Sequence, residues 1–216
     1  GFIENESNLS QSGDCWVYEN AKVYGNAEVY DDAKVYGNAE VYDDAKVYGN
    51  AWVFDNAKVF EDAEVFGIAE VCGDAVVYCD AKVFGNAQVY DNAKVSGNTQ
   101  VYENAKVYEN AKVFEDAEVF GIAEVCGNTE IRGDAEIRGD AEIASNSDYI
   151  LFKNWWSSGR HFTWTKSNNM WKVGCFYGTG EELIKKAYKD SEKSGREYER
   201  VVKYVESILK DNNADV

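Results

Sequence analysis

Few residues in this chain could do covalent chemistry, and their placement decides what kind. His161 is the only histidine among 216 residues, and it follows Arg160 in a stretch dense in Trp and Ser. A general base needs a partner that fixes its tautomer and orientation. Ser157 and Ser158 lie close by, yet no acid occurs between Asp148 and Glu181 to complete a Ser–His–acid relay. The cysteines Cys15, Cys72, Cys79, Cys126 and Cys175 are odd in number and lack CxxC spacing, which argues against a disulfide framework or a zinc site. Thr179-Gly180-Glu181-Glu182 offers a glycine at a helix start, but its two carboxylates would repel a phosphate, and the stretch has the form of a capping box. The expectation is no catalytic residue, no cofactor and no metal.

What remains is the chemistry of recognition. Trp155, Trp156, Arg160, His161, Trp164 and Trp171 fall close together and form a candidate partner patch, since Trp and Arg dominate the energetics of interfaces. With Lys166 and Lys172 the same rings could also stack single-stranded bases. About half of the rings are expected to form a small core instead.

The elements that must carry these residues are written plainly in the chain. From Val17 to Ile143 an aliphatic recurs every six residues, in 22 hexads of the form small–charged–aliphatic–aromatic–Gly/acid–Asn/Asp. Six is the wrong period for a helix face and matches the hexapeptide parallel β-helix, with three hexads to a triangular coil. The aliphatic and the preceding Ala face inward, and the flanking positions face out. Asn or Asp before each Ala is expected to take the left-handed turn conformation. Lys and Glu alternate along much of the run, so an 18-residue coil stacks opposite charges, as with Lys22, Glu40 and Lys58. Residues 57–73 recur identically at 111–127, an offset of 54 residues or three whole coils.

The position after each aliphatic is aromatic in 16 of the 22 hexads. Three ladders follow: Tyr18, Tyr36 and Phe54 lead one, Tyr24, Tyr42 and Phe60 a second, Tyr30, Tyr48 and Phe66 a third. They would pin strand register, or form faces for self-association.

Residues 1–14 do not follow the hexads and are expected to cap the first coil. The repeat covers residues 15–147. From residue 148 to 216 the composition changes, and three short strands are expected at Tyr149–Lys153, His161–Thr165 and residues 171–177. Two helices follow, capped at Thr179 and Ser194, with a frayed tail from Asp211 to Val216. Charge is divided just as sharply. Residues 1–147 hold 10 Lys/Arg against 29 Asp/Glu, a net of −19, whereas the remainder carries +2 within a total of −17. Such a body should repel nucleic acid and anionic membrane and attract basic protein surfaces.

Asn8-Leu9-Ser10, then Gly13-Asp14-Cys15-Trp16-Val17-Tyr18, then the Ala-x-Val hexads resemble the hexapeptide-repeat proteins of bacteria and phages, often labelled transferases. The resemblance covers Phe2 to about Ala144 and implies that the β-helix is left-handed; at three hexads per coil the 22 hexads make about seven coils. The part from Asp148 is similar to a domain found behind such repeats in phage and prophage proteins. Acyltransferases of this type use a histidine on or beside a coil and commonly a loop extruded from it, and this repeat has neither. The expected function is therefore a non-enzymatic, cytoplasmic interaction protein: an acidic scaffold with a recognition domain, directed at a protein partner that is basic and itself binds nucleic acid. The alternatives are a self-assembling homo-oligomer and a divergent acyltransferase.

Overall fold

In the computed structural model the backbone is described for residues 1–214 and the side chains through Lys210. The chain divides into two units, Gly1–Tyr149 and Ile150–Val216. The first is a parallel β-solenoid, and the second is a four-stranded sheet with two helices, which is the fold class the hexads and the later composition predict.

Each hexad contributes a strand of two residues, the charged position and the aliphatic, as in Lys22–Val23 and Glu28–Val29. Strands pair 18 residues apart, Lys22 with Glu40 and Val23 with Val41, so three strands make a coil. The coils stack into sheets of eight, seven and eight strands. Alternation turns each Val inward, and from Ala21 and Val23 to Ala141 and Ile143 the inward columns are buried. At the corner the Ala N–H closes the turn onto the aromatic's carbonyl three residues back, Ala21 N to Tyr18 O at 3.3 Å, and Thr99 and Thr129 take the same buried position in two hexads.

The solenoid has about eight coils rather than seven, because residues 1–14 pair as a coil themselves. Phe2–Ile3 pairs with Lys22–Val23, and Leu9 bridges to Val29. Ile3 and Leu9 keep the six-residue spacing, and only the step from Leu9 to Val17 is longer, at eight. Asn8 is buried beside Leu9, and its Nδ2 donates to the carbonyls of Gly25 and Ala27 at 3.0 and 2.8 Å. The other end is closed by side chains. Glu130 N–H donates to Asn146 Oδ1 at 2.7 Å, and Glu130 carbonyl accepts from the Tyr149 hydroxyl at 2.9 Å. Those two groups face the place of the next strand, so residues 146–149 satisfy an edge that would otherwise stay open.

The corners differ from expectation in one respect. The left-handed residue is not the Asn or Asp before Ala but the residue ahead of it: Glu19, Asp31, Asp43 and Asp55 have φ of +57° to +60°, in the same hexad position as Gly25, Gly37 and Gly49. An L-residue there costs about 1–2 kcal/mol, and a charge-assisted hydrogen bond offsets it. Glu19 accepts the N–H of Gly37 one coil on at 2.9 Å, Asp31 that of Gly49 at 3.1 Å, and Glu109 that of Gly127 at 2.7 Å. At Gly37 a Cβ would lie 2.8 Å from the backbone N of Asp55, so a side chain there would require that backbone to shift. The Asn/Asp position does other work, an amide ladder from Asn20 through Asn38 and Asn56 to Asp74 at 3.0–3.2 Å. Much of the acidity is thus built into the turns.

In the second unit the strands Tyr149–Lys153, His161–Thr165, Met170–Val173 and Phe176–Gly178 lie in chain order. The expected third strand is two, because Gly174 takes φ +54° and the chain reverses to pair Val173 with Phe176. Phe162, Trp164, Trp171 and Val173 from the sheet meet Leu183, Val202 and Val205 from the helices. Helix α1 (Gly180–Asp190) has the expected cap, with Thr179 Oγ1 accepting from Glu182 N and the Glu182 carboxylate from Thr179 N. Helix α2 (Glu192–Ala214) starts earlier than expected: Ser194 lies inside it, and Ser191 Oγ accepts the Ser194 N–H at 3.1 Å. Gly195 lets α1 approach, with the Tyr188 ring lying where a Cβ would be. The helix backbone runs to Ala214, and the remainder of the expected frayed tail lies outside the described residues. No described helix is long and apolar enough to cross a membrane.

Candidate functional site

The aromatic patch of the second unit is only partly at the surface. Trp164 and Trp171 are paired across two strands and buried in the core, so neither can present itself to a partner. Trp156 is half-buried, its ring 5.8 Å from Phe162 and 5.6 Å from Tyr198. His161 is half-buried, and Lys172 is buried with its ammonium on the Gly174 carbonyl, which removes it from any base-stacking surface. What stays outside is Trp155, 82% exposed, and Arg160. One buried residue shapes their loop. Asn154 accepts from the N–H groups of Trp156 and Ser157 at 3.2 and 3.0 Å, and its own N–H donates to the Arg160 carbonyl at 2.7 Å. Among the described residues no group of three or more His, Cys, Asp or Glu is placed to hold a metal.

The aromatic ladders form as stacked columns. Tyr18, Tyr36 and Phe54 stack at 4.9 Å. Tyr24, Tyr42, Phe60 and Tyr78 stack at 4.8–5.2 Å. The third column, from Tyr30 through Tyr48 and Phe66 to Phe120, stacks at 4.8–5.0 Å, and Arg138 lies 5.2 Å over its last ring. The rings spend their faces on one another and turn only edges outward, an arrangement that fixes strand register. Cys72 interrupts the first column, and burial, with Asp55 and Glu70 nearby, pushes its thiol up to about 11. It stays protonated at neutral pH and acts as packing.

A regular repeat makes its own departures conspicuous. At the outward charged position of one sheet the hexad rule is broken by Trp16 and Trp52, which flank Lys34 on neighbouring strands. Trp16 is 61% exposed and Trp52 38%. One strand further, the corner residue is Ile68 in place of Asn or Asp, and it is 55% exposed. Trp52 and Ile68, with Asp14, Asp32, Lys34, Asn50 and Glu70, line a shallow depression of about 470 Å³. Lys34 Nζ lies 5.1 Å over the Trp52 ring, and Tyr36 meets that ring edge-on at 6.4 Å, so the indole is held. The result is exposed apolar surface with three carboxylates and one ammonium around it. The partner patch inferred from composition does not include these residues. The signal was present in the sequence, as apolar residues at positions the solenoid does not bury.

The charged positions away from this face pair along the columns. Glu40 lies 3.0 Å from Lys22 and 3.4 Å from Lys58, and Glu64 lies 2.8 Å from Lys82. The Lys22 hydrogen bond holds the Glu40 carboxyl below the usual range, and Lys82 does the same for Glu64. The alternation then breaks, with Lys94 facing Lys112 and Glu118 facing Glu136.

The family model described as the YdcK Beta solenoid repeat matches residues 87–103, a single stretch within the solenoid. No curated protein matches the chain.

Proposed function

We propose that this protein is a non-enzymatic interaction scaffold, and that the solenoid face carrying Trp16, Lys34, Trp52 and Ile68 docks a basic protein partner. One observation carries the reading: three large apolar residues stand at outward positions the solenoid does not require, and they gather on one face. Buried indoles in a polar rim are the usual anchors of interfaces. Asp14, Asp32 and Glu70 around them, on an acidic body, favour a cationic surface. The resemblance to phage-associated repeat proteins makes a bacterial host protein the natural target, one that binds nucleic acid.

The test restores the repeat. A variant with Trp16→Glu, Trp52→Lys and Ile68→Asn carries hexad-like residues at all three places, so the fold should be kept. Affinity capture with the wild-type chain should recover a basic protein at low salt that the restored variant does not recover. An Ile122→Asn variant should recover it unchanged. Identical capture by wild type and restored variant would remove the reading, as would a partner held regardless of salt.

A further inference from the structure

We propose that the gap at Ser96 in the second aromatic column is a slot for one planar aromatic anion, a small aromatic carboxylate. The third column shows an unbroken run, six rings from Tyr30 to Phe120 at steps of 4.8–5.0 Å. The second runs through Tyr24, Tyr42, Phe60 and Tyr78 and then loses a member. Ser96, half-buried, stands where the ring would be, and Phe114 follows it.

The backbone does not close up at this point. Tyr78 N–H donates to the Val95 carbonyl at 3.0 Å, and Ser96 N–H to the Val113 carbonyl at 2.9 Å, so the rungs keep their spacing. The backbones of Tyr78 and Phe114 are therefore about 9.6 Å apart, two rungs of about 4.8 Å each. Neither ring bridges the gap: Tyr78 stacks on Phe60, and among the described residues Phe114 stacks on no ring. A ring placed midway would lie about 4.8 Å from both, a favourable stacking distance and the step of the neighbouring columns.

Two further departures from the hexad fall on the same rung. The corner residue beside Ser96 is Gly97, so no side chain closes the slot from that side. On the other side the outward row alternates through Lys22, Glu40 and Lys58 and then reads Val76, Lys94, Lys112. Lys112 has Glu130 at 3.1 Å, whereas the strands flanking Lys94 offer it a valine and a lysine. Among the described residues Lys94 makes no ion pair. It lies two residues before Ser96 on the same outward face, so a carboxylate on the inserted ring comes beside its ammonium and relieves the repulsion from Lys112. The first column has a gap of equal width at Cys72, between Phe54 and Tyr90. There the outward row is Trp52, Glu70 and Gln88, and an anion would meet a carboxylate.

The experiment is fluorine NMR titration of the intact chain with para-fluorobenzoate. Saturable broadening is expected, displaced by benzoate and not by cyclohexanecarboxylate, which has the charge without the flat ring. The amide of the same ring should bind about two- to five-fold more weakly, the worth of one exposed ion pair. Lys94→Gln should lose a similar factor with the fold intact, since Gln88 and Gln100 already hold this hexad position. Ser96→Tyr completes the column with its own kind of ring, and should abolish binding while raising exchange protection on the flanking rungs. Cys72→Tyr fills the other gap and should leave binding unchanged. Absence of saturable binding at millimolar concentration overturns the proposal. So does undiminished binding by Ser96→Tyr, or equal displacement by cyclohexanecarboxylate. The slot residues lie on a different sheet from Trp16 and Trp52, so this outcome is independent of the docking face.

Discussion

Residues 57–73 and 111–127 carry the same sequence and keep different company. Their interiors are equivalent: Val59 and Val113, Val65 and Val119, Val71 and Val125 are all fully buried between aliphatics of the neighbouring coils. Their exteriors are not. Phe60 is stacked between Tyr42 and Tyr78, whereas Phe114 stands in a column whose neighbours are Ser96 and Arg132. Ile68 adjoins Trp52, and Ile122, 60% exposed, has Lys106 in the corresponding place. In a solenoid, then, a residue's inner role is set by its place in the hexad, and its outer role by the residues 18 before and after it. Function has to be sought in the second.

Substitutions made in both copies measure how far that division holds. Amide hydrogen exchange is the suitable probe, because a stacked repeat opens locally and a single global midpoint blurs the two sites. The largest loss is expected inside. Val71→Ala and Val125→Ala should each lower local protection by about 2 kcal/mol, and by the same amount in both copies, since each leaves a comparable void. A difference above about 1 kcal/mol would break the equivalence of the interiors.

Corner glycines come next. Gly73 and Gly127 have φ of +69° and +70°, so Ala at either costs about 1–2 kcal/mol. A new Cβ would lie 2.8 Å from the Asp91 N at the first and 2.4 Å from the Ala144 O at the second. Ala144 is itself tied down, its N–H on the Asp148 carboxylate at 3.1 Å. Gly127→Ala should therefore lose more protection than Gly73→Ala. Equal losses would mean that the terminal corner yields as freely as an interior one.

The rings sharpen the contrast outside. Phe60→Ala removes two stacked contacts, each worth about 0.5–1.5 kcal/mol beyond area burial. Phe114→Ala removes none between rings. The first should cost about 1–2 kcal/mol more than the second by exchange at the flanking rungs. Equal costs would show that the columns contribute area alone and do not lock register.

Much of this was legible in advance because period and residue type act together. The hexad fixes strand, core and stacking offset in one stroke, and the 18-residue register of Lys22 on Glu40 follows from charge alternation alone. The left-handed corner was placed one residue late. Propensity points to Asn, but a carboxylate there has an N–H to accept one coil on, and that donor is invisible until the coils are stacked. Residues 1–14 looked irregular for a similar reason: Ile3 and Leu9 keep the hexad spacing, and the longer step from Leu9 to Val17 hides it. In the second unit the local signals succeeded where the bond is local, as at the Thr179 cap. They could not separate Trp155 from Trp164 and Trp171, because strand alternation says which side a residue takes and not which side the helices cover.

The smallest effect belongs to the charges, and pH decides it. Glu64 is hydrogen-bonded by Lys82 at 2.8 Å and by the Tyr48 hydroxyl at 2.8 Å. Its counterpart Glu118 accepts from Tyr102 at 3.1 Å and faces Glu136 in the ladder. The Lys82 hydrogen bond lowers the Glu64 carboxyl below its ordinary value. A carboxyl depressed on folding adds stability that is present above its unfolded pKa and lost as pH falls through the folded one. Glu64→Gln should therefore cost under about 1 kcal/mol at neutral pH, as for a partly exposed pair, and nothing once the solution is well below about pH 4. Glu118→Gln keeps an acceptor for Tyr102 and removes one of two facing anions, so at neutral pH it should be neutral or stabilise by a few tenths, about 0.2–0.5 kcal/mol. Exchange protection of the Glu64 and Glu118 rungs, followed across that range, separates the two. A parallel pH dependence for both variants would mean that net charge governs these columns and the individual lysine does not.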